Sequence, residues 1–301
     1  MFETSVKGEK IKTRLELDVD FVENVLRDSS DDSSANELMD AATQLKRSAE
    51  KEEAHYFKVF LEDIKPDYDQ LLDEELVTDY LKEVAPIDFS LPFKSRYYNA
   101  IEEDYKPYSN GLSYVNISVN QQNDIRKRYG LKIEGTEDTI EELECFIIKD
   151  DKYGELAWGW FALTKFSKAI PASDANRGLR LRKHNIQIGD QTVLNKYFTE
   201  ARGNNYFYGE VHVLHDQIKP DSGRSGLAPT PESLRLLDLL KVKFVELKKL
   251  YNIAKKAKNA VKNILDLSSR ASSGEYTPEE AETHKNNIKP ATEKFTKIET
   301  K

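Results

Sequence analysis

The chain has 301 residues and a net charge of −8, with 33% charged and 39% hydrophobic residues. That suffices for one large domain or two modest ones with a sizeable core, and the acidic balance excludes general nucleic-acid binding unless a local basic face supplies it. The single cysteine, Cys145, excludes an internal disulfide framework and fits a reducing cytosol.

Met1, Phe2, Glu3 and Thr4 open the chain without a basic or apolar leader. No apolar run approaches the roughly 20 residues of a membrane span. The expectation is a soluble, cytoplasmic protein. In chain order, EKIKTRLELD (9–18) alternates in polarity and predicts a strand, followed by a short helix near Phe21 to Leu26. DSSDDSSAN (28–36) has almost no apolar residues and reads as a loop. Residues 36–52 predict a polar helix with a thin stripe of Leu38, Ala41 and Leu45. HYFKVFL (55–61) predicts a strand whose Phe57, Val59 and Leu61 enter a core.

DEELVTDYLKEVAP (73–86) predicts an amphipathic helix with acids in its first turn and Pro86 as its stop. A second helix is expected over Lys94 to Tyr105. Strands are expected over Leu112 to Val119, Ile140 to Lys149 and Glu155 to Thr164. The last of these is apolar on both faces and reads as a central strand. GLRLRKHNIQIGD (178–190) gives two strand pieces broken by a bulge or turn at His184 and Asn185. QTVLNKYFTEA (191–201) reads as a helix and NNYFYGEVHVLH (204–215) as a strand, an order that suggests a crossover in a mixed sheet.

Thr230 and Pro231 make an N-cap and first-turn pair for a long helix. Leu237, Leu240, Phe244, Leu247, Tyr251, Ala254, Val261 and Leu265 follow heptad spacing there, interrupted by Lys258. A helical hairpin or coiled coil standing apart from the sheet core is therefore expected, with a possible homodimer through 237–265. Residues 241–262 carry eight lysines against one acid. Such a run usually makes a solvated face; the alternative is a surface for nucleic acid or an acidic partner. A break over 268–276 precedes a capping box at Thr277 and Glu280 for one more helix.

Little of the usual chemistry of a self-contained enzyme can be found. His212 and His215, in HVLH, point to opposite faces if the strand runs through both, so they cannot share a metal. Cys145, inside ECFII, reads as a small buried hydrophobe. No metal site is expected. KPDSGRSGLAPTPE (219–232) raises a different possibility. Arg224 sits between glycines and serines. The loop reads either as a turn whose glycines supply positive φ or as a device that presents a planar cation to phosphate oxygens.

The order of HYFKVFLEDI (55–64), LLDEELVTDYLKEVAPIDFSLPF (71–93), GLRLRKHNIQIGD (178–190) and ARGNNYFYGEVHVLHDQIKPDSGRSGL (201–227) resembles the GHKL ATPase superfamily, closest to its heat-shock-chaperone branch. The resemblance covers about half of the chain. It implies an α+β fold: a split β-α-β transducer-type mixed sheet with helices on one face, followed by a long C-terminal helical arm. The implied division is a remnant of the end of a nucleotide domain (1–64), a transducer or middle domain (65–229) and a helical arm (230–301). It also implies that Arg224, with Lys219 nearby, reaches the γ-phosphate of ATP held by a neighbouring nucleotide domain. The family's Mg²⁺-holding Asn, adenine-reading Asp-x-Gly-x-Gly and glycine-rich lid do not occur in this sequence. No ATPase activity of the chain alone is expected; ATP and Mg²⁺ enter only with that missing domain, which becomes the expected partner. A protein client is a further possible partner. The competing reading is a non-catalytic binding or assembly module that uses the basic arm.

Overall fold

A computed structural model describes residues 1–28, 34–108, 112–272, 279, 282 and 283. The chain divides into two units, Met1–Asp73 and Glu74–Lys301. Both are mixtures of helix and strand, so the fold is α+β.

The first unit is a four-stranded sheet of β1 (Phe2–Ser5), β2 (Ile11–Leu17), β3 (Thr43–Ala49) and β4 (Tyr56–Val59), ordered β3-β2-β1-β4 and antiparallel throughout. Helices α1 (Val19–Arg27) and α2 (Ala35–Ala42) lie between β2 and β3. Asp18 caps α1 through Phe21 N–H, and Ser34 with Glu37 forms a capping box on α2. The helix expected over 36–52 therefore ends at Ala42. Its remainder is an edge strand, because Gln44 to Ala49 gain a full ladder to β2 and the Lys46–Glu16 pair at 2.9 Å across it. Phe57, Val59 and Leu61 were expected in a core, yet all three are exposed. Phe57 and Val59 share a face with Phe2 and Leu45, all four exposed among the described residues. Most of the 28–36 loop falls outside the described residues.

The second unit holds a five-stranded sheet ordered β5-β6-β9-β7-β8. Its strands are β5 (Glu142–Asp150), β6 (Gly154–Leu163), β7 (Gly178–Lys183), β8 (Ile186–Ile188) and β9 (Tyr208–Val213). Only β7 and β9 pair in parallel. His184 and Asn185 both take positive φ, 52° and 61°, and make the two-residue hairpin joining β7 to β8. The helix expected over 191–201 is absent: this stretch consists of turns and a short 3-10 piece, Asn195–Tyr197. Asp190 accepts hydrogen bonds from the backbone and hydroxyl of Thr192 and closes a turn there. Residues Leu112 to Val119 run without a ladder, held by isolated bonds such as Val115 N–H to Pro86 O at 2.9 Å.

Helices α3 (Glu74–Val84), α4 (Leu91–Tyr105) and α5 (Pro231–Ser272) complete the unit. Strand alternation sends Trp158, Trp160 and Tyr208 to one face, where they pack with Phe93, Tyr97, Ile101 and Tyr105 of α4. Phe161, Leu179, Leu181, Val211 and Val213 go to the other, against Leu236, Leu240, Phe244, Leu247 and Tyr251 of α5. Helices thus cover both faces, not one. That explains why β6 is apolar from Leu156 to Leu163. It also corrects the expectation of a C-terminal helix standing apart from the sheet: the first half of its heptad seam is core. Thr230 caps α5 as expected, accepting from Ser233 N–H at 3.2 Å. The helix runs on into the expected break as far as Ser272; of the helix expected from Thr277, the described residues Glu279, Glu282 and Thr283 are helical, and the Thr283 hydroxyl donates to the Glu279 carbonyl at 2.9 Å.

Candidate functional site

The α4-side face of the sheet carries charge at its centre. The parallel register sets Arg180 beside Glu210 and Arg182 beside His212, while β6 places Trp160 and Trp158 on the other side of the same pair. Glu210 is fully buried. It accepts from Lys127 Nζ at 2.9 and 3.0 Å and from Arg182 Nε at 2.7 Å, and its second oxygen lies 3.0 Å from His212 Nε2. Lys127 also donates to Asn185 Oδ1 at 2.8 Å, and Arg182 donates to the carbonyls of Asn185 and Glu83. The cluster therefore fixes the β7–β8 hairpin and the end of α3 to the middle of the sheet. A buried charge persists only when paired and hydrogen-bonded in this way.

Burial pulls the Lys127 ammonium down to about 7, with Arg182 adding to the effect. Glu210 lies well below the ordinary carboxylate range; burial opposes that shift, but Arg182 and Lys127 override it. Burial also lowers the pKa of His212, despite its bond to Glu210. Folding therefore favours the neutral imidazole. Between its depressed folded pKa and the ordinary value of about 6.5, the unfolded chain binds more protons, so stability must fall as pH drops through that window. His212→Gln is expected to flatten this acid-side slope in urea titrations between pH 7 and pH 5. An unaltered slope would assign the acid sensitivity to other groups.

The loop after β9 lies at the opposite end of the same hairpin. Pro220 and Leu227 form its bridge, and Asp221 binds it internally through Ser225 N–H at 2.8 Å and Ser225 Oγ at 2.9 Å. Neither Gly223 nor Gly226 takes a positive φ; Arg224 itself does, at 50°. The reading in which the glycines supply the left-handed turn is thereby corrected. A left-handed non-glycine residue costs on the order of 1–2 kcal/mol, and here it aims the guanidinium across β8. Arg224 lies 3.4 Å from the carbonyls of Ile186 and Gln187, long for a hydrogen bond. Among the described residues no carboxylate lies within ion-pair distance of it.

Arg224 borders a groove of about 820 Å³ whose other walls include Tyr80 and Glu83 of α3, Gln187 of β8, Asp190 and Lys196. Lys219, expected as a second cation, is exposed at the base of the loop and does not line this groove. Lys196 takes that place. His215 lies beyond the end of β9 and is not joined to His212. Cys145 is half-buried, and burial pushes its thiol up to about 12, so it is a poor nucleophile at neutral pH. Among the described residues no group of His, Cys, Asp and Glu could hold a metal ion, and no helix is long and apolar enough to cross a membrane.

Sequence reading missed Lys127, Arg180, Arg182, Glu210 and Glu83. The signal for three of them was present: GLRLRK and YGEVHV alternate charge with aliphatic residues, which puts Arg180, Arg182 and Glu210 on one face each of two strands. Compared with known families and curated proteins, the chain matches no family model and no curated protein.

Proposed function

We propose that the chain acts as the transducer, or middle, region of a chaperone-type GHKL ATPase, offering Arg224 to the γ-phosphate of ATP bound by a separate nucleotide domain. The observation that carries this reading is Arg224 itself, held in a left-handed conformation on an internally bonded loop, bordering a groove and without a carboxylate partner among the described residues. A cation supplied from outside the nucleotide site stabilises charge that develops on the transferring phosphoryl group. The split β-α-β arrangement is the finer part of the same proposal; in the sheet β7 and β9 pair directly in parallel, with β8 and two 3-10 turns between them in the chain. ATP and Mg²⁺ belong to the partner domain, and closure would pass to other subunits through α5.

Joined to such a nucleotide domain, Arg224→Ala is expected to lower turnover by about 100-fold or more while nucleotide affinity changes little. Unchanged turnover removes Arg224 from the mechanism. A second reading, an assembly module, draws on Lys255, Lys256 and Lys258, which make no ion pair with a carboxylate among the described residues. Salt-dependent retention of nucleic acid by the chain would favour that reading.

A further inference from the structure

Glu83 divides two spaces. On one side lies the groove beneath the Arg224 loop. On the other is a void of about 10 Å³ whose lining includes Lys82, Lys127, Arg180 and Arg182. Gln187 borders both. The Glu83 carboxylate accepts from Arg180 Nη1 at 2.7 Å and from Gln187 Nε2 at 3.3 Å. Lys127 and Arg182 already share Glu210, so among the described residues Glu83 is the one carboxylate paired with Arg180.

The two partners are unequal. The Arg180 side chain is 2% exposed, whereas that of Glu83 is 33% exposed and faces the groove. Glu83 sits in the last turn of α3, where the negative end of the helix dipole disfavours a carboxylate. Gln187 is itself buried; its Nε2 donates one N–H to the Gly189 carbonyl at 3.0 Å and turns the other toward the Glu83 carboxylate. A buried guanidinium and a buried amide therefore converge on an anion that belongs to a separate, partly solvated element.

We propose that Arg180 and Gln187 form an oxyanion site for a phosphate group entering from the groove, and that Glu83 is its internal plug. The void is too small for more than about one water molecule, so phosphate enters only as the Glu83 side chain and the end of α3 withdraw. Arg180 then exchanges a carboxylate for a phosphate oxygen in the same planar geometry. The identity of the phosphate as that of a nucleotide rests on the ATPase reading; the oxyanion chemistry does not.

The test uses the full chain with Glu83→Gln, which retains the shape of the side chain but removes its charge. Thermal unfolding is followed by tryptophan fluorescence in chloride buffer with inorganic phosphate, pyrophosphate or ATP added at matched ionic strength. The variant is expected to melt several degrees lower than the parent and to recover saturably with pyrophosphate, at a midpoint concentration about tenfold below that of any effect on the parent. Arg180→Gln added to Glu83→Gln should abolish the recovery. ATP acting at lower concentration than pyrophosphate assigns the phosphate to a nucleotide, and equal action assigns it to a free phosphate group. Recovery with chloride alone, or equal response of parent and variant, overturns the proposal. Should Glu83→Gln not fold, the parent is tested by hydrogen exchange over residues 74–84, where pyrophosphate must accelerate exchange. Since Arg224 is intact throughout, failure here leaves the turnover test of Arg224 undecided, and the reverse holds.

Discussion

Glu210→Ala is expected to cost the second unit about 3–5 kcal/mol, the range for breaking a buried ion pair by removing one partner. Such a loss approaches the whole stability of an ordinary domain, roughly 5–15 kcal/mol. The reason is the number of groups that depend on this one carboxylate. Lys127 and Arg182, both buried, would face each other without an anion between them. Lys127 can escape by losing its proton, since its pKa already lies at about 7. Arg182 has no such escape. Glu210→Gln keeps one acceptor for Lys127 and should lose less. Urea unfolding followed by fluorescence measures both, because the two tryptophans, Trp158 and Trp160, lie on β6 beside Glu210 and report on this unit alone. A cost below about 1 kcal/mol, the size of a surface pair, would mean that the cluster relaxes or hydrates on mutation.

The same geometry explains why a charged cluster stands where a hydrophobic one would pack. A leucine in place of Glu210 could fill the volume but could not orient neighbours. As arranged, Arg182 donates to the carbonyl of Glu83 and to that of Asn185, so one carboxylate sets both the end of α3 and the β7–β8 hairpin. The carbonyls over which Arg224 lies belong to β8 of that hairpin. One wall of the groove is thus tied to the buried cluster through β8 and the end of α3.

How much of this could be read beforehand differs between the units. Strand alternation at 11–17, the amphipathic helix at 74–84 and the His184–Asn185 turn follow from local pattern, and they appear as expected. In the first unit the pattern misled, because Phe57 and Val59 alternate as core residues do while both stand exposed. The stretch from Thr43 to Ala49 has enough helix formers to continue α2, and only the ladder to β2 makes it a strand. The 219–232 segment was legible as a loop, but the source of its conformation was not: an arginine between a glycine and a serine gives no hint that the arginine takes the left-handed turn. Glu83 could not have been found, since its meaning depends on Arg180, almost a hundred residues away, arriving beside it.

Phe244→Ala is expected to cost about 3–5 kcal/mol, and it decides what the heptad pattern of α5 means. Phe244 is fully buried and stacks on Phe198 with ring centroids 4.2 Å apart and planes 14° apart. Leu240 and Leu247 flank it at the same seam, and Tyr251 ends it by stacking on Tyr206 at 4.6 Å. A 3–4 spacing of apolar residues arises equally from a coiled coil and from a helix lying on a sheet. Over Leu236 to Tyr251 the partner is the sheet of the same chain. Beyond it the seam changes: Lys258 occupies it, and Leu265 is 65% exposed. Leu265→Ala should therefore leave the unfolding midpoint of a monomer unchanged within about 0.5 kcal/mol, while Phe244→Ala lowers it steeply. Light scattering on the parent and on Leu265→Ala separates the remaining case. If α5 also joins two chains, that contact must use the outer half of the helix, and Leu265→Ala will lower the mass without lowering the stability of the fold. If instead Phe244→Ala dissociates a dimer and leaves a well-folded monomer, the seam over the sheet is the interface and the packing described for α5 is wrong.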